Sequence, residues 1–256
     1  MTIAFSCSYS SNHPVYFGTF STDLRYSLSN SFALSLNIPY RYVEGEYNSI
    51  SLKIYGLSDL IFNMQWDVYP YLFGRQEPQT QENANKTRYS LWTMVGLRLG
   101  TADADKKDVL GYYIPARYQL GTGTTDPILG LRFQATRLNG ISPGFMLIYT
   151  FNSENKTGYE RSDTVYIKAD LTYLAFEKFR LNPGVSFIVV PRHDRQDGVI
   201  QAGTRGENYY LEFDTYYLLS ATVNPYIFIK YLYHTEDVSS KNSLRLTAGI
   251  GIMLRF

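Results

Sequence analysis

Apolar and polar residues alternate along this chain with a period of two, and the alternation is cleanest at its C-terminus. From Leu244 to Phe256 the even positions carry Leu244, Leu246, Ala248, Ile250, Ile252, Leu254 and Phe256, and the odd positions carry Arg245, Thr247, Gly249, Gly251, Met253 and Arg255. Successive side chains of a strand point to opposite faces, so the stretch predicts a strand with one apolar and one polar face. At about 3.3 Å per residue it would reach roughly 43 Å, long for a soluble sheet and suited to a tilted strand crossing a membrane. The same alternation predicts strands at Pro225–His234, Tyr209–Leu219, Phe179–Val190, Thr164–Leu174, Phe145–Asn152 and Asp126–Leu138. Further upstream it predicts Tyr89–Gly100, Gly56–Tyr69, Phe32–Val43, Tyr16–Leu28 and Ile3–Ser10. Asn139-Gly140 between two of these segments is a tight-turn signal.

The total is about twelve strands, and single-chain bacterial barrels have an even number. The expected fold is therefore all-β, a transmembrane antiparallel β-barrel of about 12 strands with periplasmic termini, formed by residues 1–256 as one domain. Its last strand would close on Ile3–Ser10. Loop lengths agree with such a barrel, which has short periplasmic turns and longer extracellular loops. The connections near Asn30, Asn139, Glu177 and Thr222 are short; those near Lys106, Glu154, Gln196 and Ser240 are longer and polar. The long stretch 71–87 is an exception on the supposedly short side.

Charge sharpens the prediction, because Arg or Lys facing lipid at the bilayer midplane costs about 2–4 kcal/mol. Within the predicted strands the charged residues nearly all share the phase opposite to the apolar one. The acids are Asp23, Asp59, Asp67, Asp126, Asp170, Glu212 and Asp214, and the bases are Arg25, Arg41, Arg98, Arg132, Lys168, Arg180, Lys230, Arg245 and Arg255. These are the candidate lumen-lining residues. Glu212 and Asp214 lie two apart on one face, so a nearby inward base should compensate them, failing which a cation site is the better account.

Composition then separates the barrel from a soluble sandwich, which shows the same alternation with the opposite burial. With 24 Tyr and 15 Phe the chain can furnish the two aromatic girdles that sit at the lipid headgroups. Mean hydropathy is slightly negative, as expected when an apolar exterior is averaged with a polar interior, and no run of about 18 apolar residues offers a transmembrane helix. The formal net charge is +1, which excludes a chain-wide nucleic-acid footprint. Cys7 is the single cysteine and predicts a small buried or lipid-facing side chain. No cofactor or metal is expected, since one Cys and three scattered His provide no ligand spacing. The absence of a secretory signal at the start is read as the mature chain of an exported protein.

Two glycine-rich motifs open predicted strands: Gly56-Leu57-Ser58-Asp59-Leu60, and Gly121-Thr122-Gly123-Thr124-Thr125-Asp126. The pair resembles the outer-membrane family described as putative MetA-pathway of phenol degradation, whose members show a Gly-Leu-Gly-Asp-Leu strand start and a later Gly-Thr-Gly turn followed by Asp. Ser58 stands where the second glycine is usual. The resemblance implies an outer-membrane channel or transporter, with aromatic or hydrophobic compounds as the solutes ascribed to the family. The residues themselves admit two accounts of Asp59 and Asp126: turn geometry with capping, or an acidic constriction at the mouth.

The expected function is a channel or facilitator of the bacterial outer membrane, passing small solutes through a narrow polar lumen of mixed charge. The expected partners are the lipid bilayer and a small-molecule solute, with no nucleic acid. A structural or partner-binding barrel with a plugged lumen is the alternative, since the stretches Ala102–Thr124 and Pro191–Gly206 are long enough to dock a protein or form a lid. An outer-membrane hydrolase is the third reading. It finds little in His13 and His193, which fall in predicted loops, or in His234, which takes the inward phase at a strand end. The chain is accordingly expected not to be an enzyme.

Overall fold

A computed structural model describes the whole chain except residues 13–14, 48–49, 75, 77–85, 108–110, 112, 116–117, 138–139, 177, 203 and 237–245. Leu244, Arg245, His13, Asn139 and Glu177, with most of the 71–87 connection, therefore lie outside the described residues.

The first part of the chain forms β1 (Thr2–Asn12), β2 (Val15–Ser27), β3 (Phe32–Tyr47), β4 (Ile50–Leu57), β5 (Leu60–Asp67), a short helix α1 (Tyr69–Phe73) and β6 (Arg88–Leu99). Then follow β7 (Asp126–Thr136), β8 (Ser142–Thr150), β9 (Tyr159–Glu160), β10 (Thr164–Ala175) and β11 (Phe179–Val190). The chain ends with β12 (Arg195–Gln196), β13 (Val199–Ile200), β14 (Gly206–Tyr217), β15 (Val223–Glu236) and β16 (Leu246–Arg255). The long strands pair antiparallel in sequence order around a closed circuit, and β4 and β5 both pair with β3 as two halves of one wall position. The result is a closed antiparallel barrel of 12 strands. The short β9, β12 and β13 form a separate sheet within the loops.

Closure runs through the terminal strands. β1 pairs with β16 from Thr2 opposite Arg255 to Ser11 opposite Leu246, and with β2 on its other side. The Phe256 N–H donates to the Met1 carbonyl at 2.8 Å, so both termini sit at one end of the barrel. Gly249 and Gly251 let the seam close. A Cβ on Gly251 would lie 2.5 Å from the Phe5 carbonyl oxygen and 2.4 Å from the Tyr226 ring, and Gly249 is hemmed in likewise by Cys7 and Phe228.

Burial is inverted relative to a soluble fold. Phe20, Val95, Leu131, Phe145, Ile227 and Ile250 are exposed on the outside, whereas Asp126, Ser186, Glu212 and Asn224 are buried. An apolar exterior of this extent suits hydrocarbon rather than water. Cys7, opposite Phe20 and Ile250, is exposed on that face.

Two sequence expectations change. The segment expected as one strand from Gly56 to Tyr69 is broken at Ser58-Asp59, because Ser58 N–H bonds to the Pro39 carbonyl at 2.8 Å while Asp59 turns to bind a loop. His234 leaves the inward phase. A register shift between Tyr209 and Tyr210 sets it opposite Tyr209 on the outer face, while Leu232 stays opposite inward Tyr210. A bulge adds one residue to one strand and so reverses the faces beyond it.

Candidate functional site

The inner face of the barrel bounds a cavity of about 610 Å³ lined from β2, β5, β6, β7, β8, β10, β11, β14, β15 and β16. It opens toward the short-turn end, since Arg137, Gly140, Leu218 and Arg255 lie on its wall. Arg25, Arg132, Arg180 and Arg255 of the candidate residues line it. The remaining described candidates within strands share that face by register, as where Asp23 lies opposite Asn37 and Ala4, whereas Asp59 lies between β4 and β5 outside any register.

Near the middle of the strands the charges are paired. Lys168 Nζ lies 2.6 Å from Glu212 Oε2 and 3.7 Å from Asp214 Oδ2, and Lys230 Nζ lies 3.0 Å from Glu212 Oε1. Ser186 Oγ donates to Glu212 Oε1 at 2.6 Å, and Lys230 also sits over the Tyr210 ring at 4.2 Å. Glu212 is thus the shared counter-charge of two lysines, which answers the question raised by the Glu212/Asp214 spacing. Among the described residues no group of His, Cys, Asp and Glu could hold a metal ion. Asp170 packs against Gly144, where a Cβ would come within 2.5 Å of its Oδ1. That oxygen has no hydrogen-bond partner among the described residues.

At the opposite, long-loop end the inner face turns apolar and is covered. Val15, Phe17, Val43, Leu52 and Ile54 of the wall form a buried cluster with Ala102, Ile114, Tyr118 and Leu120 from the connection after β6. That connection folds into the mouth and is held by polar side chains. Asp59 Oδ2 accepts from Thr122 N at 2.6 Å and Thr122 Oγ1 at 2.8 Å, and its Oδ1 accepts from Ala102 N at 3.3 Å. Gly121 is required here, because a Cβ would stand 2.1 Å from Asp59 Oδ1. Gly123 supplies a left-handed backbone, φ +71°. Arg41 Nη1 donates to the Gln119 carbonyl at 3.0 Å with its guanidinium 5.0 Å from the Phe17 ring centre.

Asp126, fully buried, pairs with Arg98 at 2.7 Å and accepts from Thr124 Oγ1 at 2.9 Å and Ser153 N at 2.9 Å. Both motif aspartates therefore cap loop backbone and pair with neighbours. Asp67 does the same at the other end, accepting from Tyr69 N at 3.2 Å and Leu91 N at 3.1 Å.

Several contributors lie outside the charge pattern. Asn152 accepts from Arg98 and donates to the Ser162 carbonyl, and Gln119 stitches the mouth connection by bonds to Lys106 and Ile114. Arg161, between β9 and β10, has its guanidinium pKa pushed down chiefly by burial, against the charges of Asp194 and Asp59. These residues sit in loops, where no periodicity marks a face. His193 is engaged structurally, its Nδ1 accepting from Arg205 N at 3.2 Å. His234 packs beside Tyr209 with ring centres 5.5 Å apart.

This architecture is similar to known outer-membrane proteins. The COG4313 outer membrane channel from Pseudomonas putida F1 superposes with a TM-score of 0.70 over 100% of this chain and 94% of that one, at 12% identity. The NanC porin gives a TM-score of 0.59 at 11% identity, over 99% of this chain and 100% of its own. The KdgM porin gives 0.56 at 7% identity, over 100% and 99%. No curated protein sequence matches the chain. The profile of one family spans residues 8–256, and the chain belongs to that family, described as putative MetA-pathway of phenol degradation.

Proposed function

We propose that this protein is a passive channel of the bacterial outer membrane, admitting small solutes through a narrow polar lumen. The observation that carries the reading is the cavity of about 610 Å³ enclosed by inward side chains of most of the barrel wall. Eight-stranded barrels are filled by side chains and sixteen-stranded ones leave wide aqueous channels, so twelve strands suit a restricted path. The mouth connection narrows it further, because Leu120 and Tyr118 are buried inside the barrel. The relatives named as channels and porins support the same reading. Solutes with an aromatic or aliphatic body fit the wall, where Trp92, Met94, Met146 and Ile148 lie beside arginine side chains.

Purified protein in planar bilayers tests the proposal, with discrete conductance steps in the absence of any partner as the expected result. A silent protein that copurifies with a stoichiometric partner would instead favour a plugged, partner-binding barrel.

A further inference from the structure

The charged residues that line the cavity are all of one sign. The cavity at the short-turn end is lined by Arg25, Arg132, Arg137, Arg180 and Arg255, and none of its described lining residues is Asp, Glu, Lys or His. Register gathers these arginines from distant parts of the chain. Arg25 on β2 and Arg255 on β16 both stand opposite Thr2 of the intervening β1. Arg180 stands opposite Tyr216, and Arg132 stands between Trp92 and Met146.

None of the five has an ion-pair partner among the described residues. Arg25 lies 5.6 Å from the Trp92 ring centre, Arg137 Nε donates to Thr87 Oγ1 at 2.8 Å, and Arg255 Nη2 lies 3.8 Å from Met253 Sδ. Of the inner-face acids, Glu212 is held by two lysines, Asp126 by Arg98, Asp214 lies 3.7 Å from Lys168 and Asp23 accepts from Asn37 at 2.6 Å; none of them, nor Asp170, lies on the cavity wall. A guanidinium carries five N–H donors, accepts nothing and stays charged at any physiological pH. Five of them on the wall of one cavity give it a lining rich in hydrogen-bond donors and in positive charge.

The same wall is also apolar. Trp92, Met94, Met146, Ile148, Leu174 and Met253 lie between the arginines. The volume falls within the range of about 300–1,000 Å³ typical of small-molecule sites.

We propose that this cavity is a binding site for small organic carboxylates. The carboxylate would be taken by paired arginine N–H groups, as guanidinium and carboxylate geometries match, and the apolar body would lie against the methionine and tryptophan wall. The inference deepens the channel reading by giving its solute a charge sign, and it rests on that reading only in placing the site on a transport path.

Benzoate and its uncharged analogue benzyl alcohol, titrated calorimetrically against the purified, folded barrel at low salt, test it. Benzoate is expected to bind at least ten-fold more tightly than benzyl alcohol, and Arg25→Gln/Arg255→Gln to lose at least five-fold of that affinity while keeping the heat-modifiable gel mobility of the folded barrel. The preference for benzoate should shrink in 1 M salt, where the Debye length falls from about 10 Å at 0.1 M to about 3 Å. Equal affinity for the two ligands in the unmodified protein overturns the proposal without reference to any variant. So does benzoate binding untouched by both the substitutions and salt. Conductance serves as a separate readout: benzoate binding in a non-conducting protein upholds the site and removes the channel reading, whereas conduction without benzoate preference does the reverse.

Discussion

Glu212 shows how much one side chain can decide in a lumen. It accepts from Ser186 and is shared as counter-charge by Lys168 and Lys230, so its replacement leaves Lys230 without its carboxylate and Lys168 with only Asp214 at 3.7 Å. Hydrogen bonds to charged groups contribute about 1.5–3 kcal/mol, reduced here by whatever lumen water remains. Glu212→Gln is expected to lower stability by about 1–2 kcal/mol and to shift the reversal potential in a salt gradient toward anions. Thermal unfolding and bilayer recording check the two effects, and an unchanged reversal potential would place this triad off the conducting path. The triad was half legible in the sequence. The shared face of Lys168, Glu212 and Lys230 followed from the period of two, but their meeting across β10, β14 and β15 depends on register. Asp59 and Asp126 were legible as inward positions at glycine-rich turns, and the structure gives them capping and pairing contacts that spacing cannot reveal.

At the scale of elements, the connection between β6 and β7 matters most. It was legible as a long loop with glycines near its end, and its fold inside the mouth was not, because Ile114, Tyr118 and Leu120 follow no strand or helix period. Its partners Val15, Val43 and Leu52 read locally as ordinary strand residues; only the pairing of β2, β3 and β4 brings them together against the loop. Asp59 is the clasp. Asp59→Ala removes the acceptor of two backbone N–H groups and of Thr122 Oγ1, and is expected to raise single-channel conductance while leaving ion preference nearly unchanged. If recordings show the unmodified conductance, the connection does not limit flow. Gly121→Ala should reproduce the effect from the other side of the contact, since its Cβ would overlap Asp59.

For the whole molecule the test is the sidedness of the wall. Val95 is 51% exposed on the outside, whereas its neighbour Met94 lines the cavity. Val95→Arg places a charge against lipid at a cost of about 2–4 kcal/mol and should reduce the folded fraction recovered in lipid vesicles. Met94→Arg should fold normally. Equal recovery of the two variants, read from heat-modifiable gel mobility, would contradict the orientation of the barrel wall. The seam offers a second test: Gly251→Val crowds the Phe5 carbonyl and the Tyr226 ring, and overpacking of this kind costs about 1–3 kcal/mol, so assembly should slow and the unfolding temperature should fall.

Strand number, the faces of the strands up to the bulge at His234, and the alternation of short and long connections apart from 71–87 were written in the chain. Each depends on local matters: whether a side chain tolerates lipid, and whether a turn can be made from the residues at hand. The pairing of Ile3–Ser10 with the final strand followed as well, since a barrel must close. Three features waited for the tertiary structure: the loop packed in the mouth, the bulge that turns His234 outward, and the separation of five arginines from the paired acids. Alternation says which face a side chain takes and is silent on which side chains of other strands come abreast of it. Strand register around a closed wall decides that, and with it where the lumen is neutral and where it is positive.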